Sequence, residues 1–400
     1  MTITANILGA AVQLSGNPVW IKCTGGSAPA GSSNYTLLLK IISQDGKLDG
    51  APYTDAIMPD NSGEALFNIS GYVDQPIKTQ FQYPASGAYV AYPTQAFNIQ
   101  VQPGESWMDE EGVLQTQWGS ISSVFQILKG GNNPRQLAMM DTAGTNFFET
   151  YLQNGLFLTP RPQGNFVHPT QPVKLWFMTP TAKSATYYVK GVYSDGSEDT
   201  YSTALSLSDD NLYEFNCNPA DLGLTLEPTG KQMKYFDVWL ESGGSAISDV
   251  RRFQFDWRPC ERPFFVLFAN SLGGIDDVYL SGHATEGTRT EGDTVYKPQR
   301  PGDTVYDRTL ETSNKKGQFT LNINSGYKSS TEMLYLRDML VSRQAWLLYP
   351  NKTVSSYQVV PVNIQNGEKE LVDRQKNLWE MTVEMEEAHT SRFSFDNRIY

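Results

Sequence analysis

TYYVKGVYSDGSEDTYST, residues 186–203, is a β-hairpin written out in sequence. Its aromatic and β-branched residues favour strands, and Asp195-Gly196 between the two halves is a strong tight-turn pair. The neighbouring segments repeat the theme. VKLWFM (173–178), NLYEFNCN (211–218), KYFDVWLESGG (234–244) and RRFQFDW (251–257) are short strand-like runs bounded by Gly, Pro, Asn and Asp. Residues 166–258 are therefore expected to form a sandwich of the immunoglobulin or fibronectin type.

The same punctuation runs toward the N-terminus. YTLLLKII (35–42) runs into Ser43-Gln44-Asp45-Gly46, EALFNISG (64–71) centres on Leu66 and Phe67, and QAFNIQV (95–101) puts Phe97, Ile99 and Val101 on one face. Residues 1–102 read as a β-sandwich-like domain. Residues 103–165 are less regular, with a turn-rich acidic segment PGESWMDEEG (103–112) and a strand SSVFQILKGG ending in a glycine pair. They read as a connector or a continuation of the first domain.

Residues 259–400 are the most distinctive part. FFVLFAN (264–270) is a continuous apolar run, as in a strand buried on both faces. SLGGIDDVYLSG and KKGQFTLNINSG follow as strands. The one clear helix spans 329–343, with Ser329 and Glu332 as a capping box, an apolar stripe of Met333, Leu336 and Leu340 beside Leu334 and Val341, and Arg343 in the last turn. AWLLYP, SSYQVVPVNI and NLWEMTVEMEEA are strands again. In the last of these, Met381, Val383 and Met385 alternate with Glu380, Thr382 and Glu384, one face apolar and the other largely acidic. The sequence GDTVY occurs at 292–296 and again at 302–306, inside a long polar arm over 283–316. The echo reads as two arms of a hairpin, a register-shifted pair, or coincidence. The whole is all-β, mainly antiparallel and multidomain.

Composition narrows function. The chain has 400 residues, 40% hydrophobic, 12% aromatic and 18% charged, so it is too apolar for a disordered chain. Lys and Arg number 31 against 43 Asp and Glu, for a net charge of −12, which argues against a duplex-DNA binder held by phosphate contacts. Cys23, Cys217 and Cys260 lie far apart with no CxxC, unlike a disulfide scaffold or zinc site. The start, with its first basic residue at Lys22, lacks a secretory signal pattern, and no 18-residue apolar run predicts a membrane span.

Catalytic patterns are not apparent. His168, His283 and His389 are isolated, and GxSxG, GxxxxGK[ST] and metal-ligand spacings do not occur. Asp276 and Asp277, adjacent on a strand, point to opposite faces. Glu380 and Glu384 share a face but lie roughly 13 Å apart, too far for glycoside chemistry. The reading is a non-enzyme without cofactor or metal. Trp107, between Gly104-Glu105-Ser106 and Asp109, is the best candidate for an exposed ring that could bind a sugar.

ISGYVDQP (69–76), FQILKGG (125–131), LFANSLGGIDDVYLSG (267–282) and the ending VVPVNIQ…NLWEMTVEMEEA resemble segments of virion structural proteins of tailed bacteriophages, in particular phages of Bacteroidota. The C-terminal order of strands, helix and strands resembles the tail-tube and distal-tail building block. That resemblance implies a β-sandwich or split barrel flanked by one helix, assembling into hexameric rings in the virion tail after synthesis in the host bacterial cytoplasm, with other tail proteins as partners. It implies no membrane and no sequence-specific nucleic acid binding. Genome DNA passing through such a ring would be kept from sticking by an acidic lumen, for which Glu380 and Glu384 are the candidates. The arm carrying Val295, Tyr296, Val305 and Tyr306 is the candidate assembly interface. The alternative is a tail-tip or surface adhesin whose sandwiches bind host glycans.

Overall fold

A computed structural model describes residues 3–8, 12–26, 33–44, 53–77, 79–84, 87–92, 96–131, 147–179, 181–209, 211–260, 262–298, 300–302, 304, 310–350, 357–365 and 379–389. Of the described residues 54% are strand and 8% helix, and the several sheets are mostly antiparallel, so the fold is all-β. It gathers into two compact units. The first comprises residues 1–160, 172–253 and 269–275, the second 161–171, 254–268 and 276–400.

The first unit holds two layered β assemblies. In one, a sheet of Thr4–Leu8, Trp20–Thr24 and Glu64–Asn68 faces a larger sheet built on Ser33–Ser43 and Phe97–Met108. Ile21, Cys23 and Phe67 pack against Leu37, Leu39, Ile41, Phe97, Ile99 and Val101, all essentially inaccessible. The alternation expected at 97–101 thus fills this core. The strand then runs on to Met108, through the segment read as a turn. Pro103 has no N–H to donate, but its carbonyl accepts from Gly119, and Gly104 leaves room for the Trp118 ring where a Cβ would come within 2.6 Å of it. The turn is confined to 109–113, where Asp109 Oδ1 accepts from the Glu111 and Val113 amides. Those bonds, the Val113 amide first, hold its carboxyl below the usual range.

The second assembly contains the expected hairpin, Lys183–Tyr193 with Glu198–Leu207, closed at Asp195-Gly196 with Gly196 at φ +84°. Met233–Ser242 pairs on its other side and Arg251–Phe255 follows. Inward residues Tyr187, Val189, Phe236 and Val238 are fully buried, and Tyr187 meets Phe215 of a facing sheet at 4.8 Å between ring centroids. That facing sheet is Lys174–Met178, Leu212–Asn216 and Tyr89–Tyr92. Tyr89–Tyr92, from the segment read as the first domain, pairs with a strand some 120 residues later. Lys174 and Glu214 form a buried ion pair between the two later strands, and Tyr92 donates to Glu214 at 3.0 Å.

The second unit is a seven-stranded sheet in the order Ile275–Leu280, Phe264–Ala269, Ala345–Pro350, Tyr357–Ile364, Thr382–Glu387, Leu310–Asn324, Ala284–Tyr296. It is open, not a closed barrel. Phe264–Phe268 is buried throughout, as the apolar run requires. The helix Ser330–Val341 covers one face, with Met333, Tyr335, Leu336 and Met339 packed on Val266, Phe268, Val278, Leu347 and Val383. Leu334 and Val341, expected on its apolar stripe, are exposed, because Tyr335 and Met339 take the buried face. Arg343 lies beyond the last turn, since the helix stops at a Ser342 cap. Two shorter helices, Ser70–Asp74 and Phe147–Gln153, belong to the first unit.

The N-terminal cap forms as read. Ser329 Oγ accepts from the Glu332 amide at 3.3 Å, and Glu332 Oε2 accepts from the Ser329 amide at 2.9 Å. Ser329→Ala is expected to cost about 1 kcal/mol in urea-induced unfolding, because the Glu332 amide loses its side-chain acceptor and the Glu332 carboxylate loses the Ser329 hydroxyl that helps to hold it. An unchanged unfolding midpoint would contradict the assignment.

Candidate assembly surface

The described residues of the arm over 283–316 contribute to both strands of a long hairpin. Ala284–Tyr296 pairs with Leu310–Asn324 from Ala284↔Ile323 out to Tyr296↔Leu310, with a register shift between Glu291 and Asp293. Its root belongs to the core: Leu321 and Ile323 are buried, and Thr320–Asn324 pairs with Thr382–Glu386. Beyond Thr320 that second ladder ends. Among the described residues, the two arms then pair only with each other from Thr288↔Phe319 to Tyr296↔Leu310. Nine residues of strand extend roughly 30 Å.

Everything from Thr285 to Tyr296 is exposed. Near the far end Tyr296 (68%) and Leu310 (60%) stand opposite each other on one face, and Val295 (44%) is exposed on the other. Ala284–Tyr296 is also the last strand of the sheet, and among the described residues none pairs on its outer side. A two-stranded ribbon is marginal in water by itself. An open edge with an apolar tip is the kind of surface that pairs with another chain.

The root is fixed by polar contacts. Tyr349 Oη donates to Glu286 at 2.7 Å, Arg289 bridges to Glu386 at 3.1 Å, and Gln318 Nε2 donates to the Glu387 carbonyl at 2.7 Å. Gly282 sits where a Cβ would come within 2.7 Å of the Asn324 carbonyl, so only glycine lets the strands close there. Beside this root lies a cleft of about 400 Å³ lined by Asp256, Arg258, Cys260, Tyr279, His283 and Tyr327, among others. Arg258 grips Asp256 through two bonds of 2.8 and 2.6 Å. Burial pushes the Asp256 carboxyl up, but the Arg258 hydrogen bonds outweigh it and the net shift is downward. Lys328, which lies over the Tyr279 ring, is pushed down by burial against the pull of Glu332 and Asp256.

A second polar centre is wholly inside this unit. Arg161 and Asp277, 1% and 0% exposed, form an ion pair at 2.7 Å. Gln171 Nε2 donates to the other Asp277 oxygen, and Tyr335 Oη donates to the Asp277 carbonyl at 3.2 Å. Burial lowers the Arg161 pKa, yet the charge of Asp277 outweighs it and the net shift is upward. Burial also raises the Tyr335 hydroxyl. This node ties residues 161–171 to the edge strand and the helix. It presents no accessible surface and serves to hold the sheet's edge.

The structure places the sequence-derived candidates as follows. Val295 and Tyr296 stand on the exposed hairpin, while Val305 and Tyr306 lie outside the described residues. The first GDTVY pairs with residues 310–313, not with its echo, so the two copies are not opposite arms. Glu380 and Glu384 are exposed, on the side away from Met381, Val383 and Met385. Trp107 is half-buried in a strand opposite Gln115. Asp276 and Asp277 are both fully buried. Cys23 and Cys217 are buried and Cys260 partly so, all as free thiols.

Among the described residues no three His, Cys, Asp or Glu side chains gather closely enough to hold a metal ion, and no helix is long and apolar enough to cross a membrane. No protein-family model matches the sequence, and no curated protein matches it.

Proposed function

We propose that this chain is a non-enzymatic structural subunit of a phage tail, in the tail tube, distal tail or baseplate hub, which closes into a ring through its second unit. The observation that carries the assembly reading is the hairpin 284–324. It is an exposed, two-stranded extension with an apolar tip, rooted rigidly in a packed sheet. Such an arm gains stability when its edge and tip are covered by a neighbour. A neighbour in a closed ring offers the same complementary surface at every step. The placement in a phage tail rests on the sequence resemblance. An acidic lumen lined by Glu380 and Glu384 is compatible with their exposure and with the net charge of −12, since like charge keeps DNA from adhering.

Light scattering across a concentration series, with negative-stain images of the same sample, tests this reading. A particle of about six chain masses, seen as a ring or stacked rings, is the expected result. A monomer at every concentration would count against it.

A further inference from the structure

The outward face of the hairpin sheet in the first unit carries an aromatic strip that the core does not use. Along Met233–Ser242 and its neighbours, the inward side chains of Tyr187, Val189, Phe236, Val238 and Leu240 already fill the interior. On the outward side, Tyr188 and Trp239 are direct cross-strand partners, both only half-buried. Their rings stack face to face at 5.0 Å between centroids and 10° between planes, so each covers one face of the other and the pair keeps its two outer ring faces for a ligand. Trp239 Nε1 donates to Glu241 at 2.8 Å, which fixes the indole.

One strand repeat along, Arg252 forks Asp237 through two 2.7 Å bonds and lies over the Tyr235 ring at 4.1 Å. Lys190 pairs with Glu198 at 2.7 Å. Across the neighbouring strand, exposed Thr200 and Ser202 stand opposite Lys190 and Tyr188 and offer hydroxyls to the same face.

From this juxtaposition we infer that the Tyr188–Trp239 face binds a neutral polysaccharide. The C–H face of a sugar ring is weakly positive and packs on the negative face of an aromatic ring. Its hydroxyls need fixed planar donors and acceptors at the margin, which the Arg252–Asp237 fork and Glu241 supply. The charges decide between ligands. Both cations are already paired with carboxylates and Glu241 adds a further negative charge, so a nucleic acid or an acidic polymer meets no basic surface. Tyr235 to Glu241 spans roughly 20 Å, enough for several sugar rings in a row. This inference does not rest on the assembly reading, since it concerns the other unit and needs no second copy.

Affinity electrophoresis of the full chain in gels containing mannan, laminarin, xylan or soluble chitin oligomers, with tryptophan fluorescence as a second readout, provides the test. Retardation by at least one of these is expected, weakened at least 10-fold by Trp239→Ala and by Ser202→Arg and unaffected by Trp107→Ala. Ser202 is exposed, so Ser202→Arg covers the rings without disturbing the core and stands in should Trp239→Ala fail to fold. No retardation by any of the four, retardation that survives Ser202→Arg, or binding to heparin or single-stranded DNA in their place would overturn the proposal.

Discussion

Arg161→Ala is expected to destabilise the second unit by about 3–5 kcal/mol. The magnitude follows from what the change leaves behind. Asp277 is fully buried, and its partner guanidinium at 2.7 Å is itself 1% exposed. Removing the cation leaves a carboxylate in a low-dielectric interior without its partner charge, though Gln171 still donates to it. It also removes a donor to Tyr335 Oη at 3.2 Å. A buried pair broken on one side costs far more than the pair contributes when whole, because desolvation of the survivor is no longer offset. The double variant Arg161→Met/Asp277→Leu should therefore recover most of the loss. Urea unfolding followed by near-ultraviolet circular dichroism separates the two cases. A loss below 1 kcal/mol for Arg161→Ala, or a double variant no better than the single, would contradict this role.

Arg161 illustrates what sequence does and does not disclose. It stands in a stretch broken by prolines, and nothing local marks it. The available signal was on its partner: two aspartates inside an apolar strand, IDDVYL, imply that a buried charge must find a cation somewhere. That the cation is 116 residues upstream is a tertiary fact. Where local chemistry decides the outcome, the reading succeeds. The Asp195-Gly196 turn, the Ser329–Glu332 capping box, the apolar run at 264–268 and the alternation of Met381, Val383 and Met385 are all visible as written and all formed. Where partners are remote, it does not. Pro103–Met108 looks like a turn because proline and glycine usually end strands, yet neighbouring strands on both sides hold it extended. Leu334 and Val341 fit a helical stripe as well as Tyr335 and Met339 do, and only the position of the sheet chooses between them. The GDTVY echo suggested self-pairing, but the hairpin register is set at its root by Leu321 and Ile323 in the core.

The candidate surface was legible to a similar degree. Val295 and Tyr296 stand out in the sequence as part of a polar arm, and both are exposed on the hairpin. Leu310 has no such local marker, since it meets Tyr296 only through the register Tyr296↔Leu310. Trp107 was chosen because polar residues surround it in sequence. Nothing local marks Tyr188 and Trp239 as an outward pair, because each ring sits in a strand whose alternate residues are core.

The second large effect concerns that tip. Val295→Lys, Tyr296→Lys and Leu310→Lys together are expected to weaken self-association at least 100-fold, or about 2.8 kcal/mol at 1.4 kcal/mol per factor of ten. Each lysine would bring a charge into an interface that the apolar side chains are proposed to fill, and desolvating it is costly. Edge lysines are also a common natural means of preventing strand pairing between chains. Folding should be little affected. All three positions are more than two-fifths exposed and lie beyond Thr320, where the hairpin no longer pairs with the rest of the sheet.

The most direct measurement is sedimentation velocity on the intact chain and the triple lysine variant, side by side at matched concentrations. The intact chain is expected to sediment as a closed oligomer of about six copies and the variant as a monomer with an unchanged circular dichroism spectrum. Identical sedimentation of the two, whether both monomeric or both assembled, would contradict the proposal that the hairpin joins one subunit to the next.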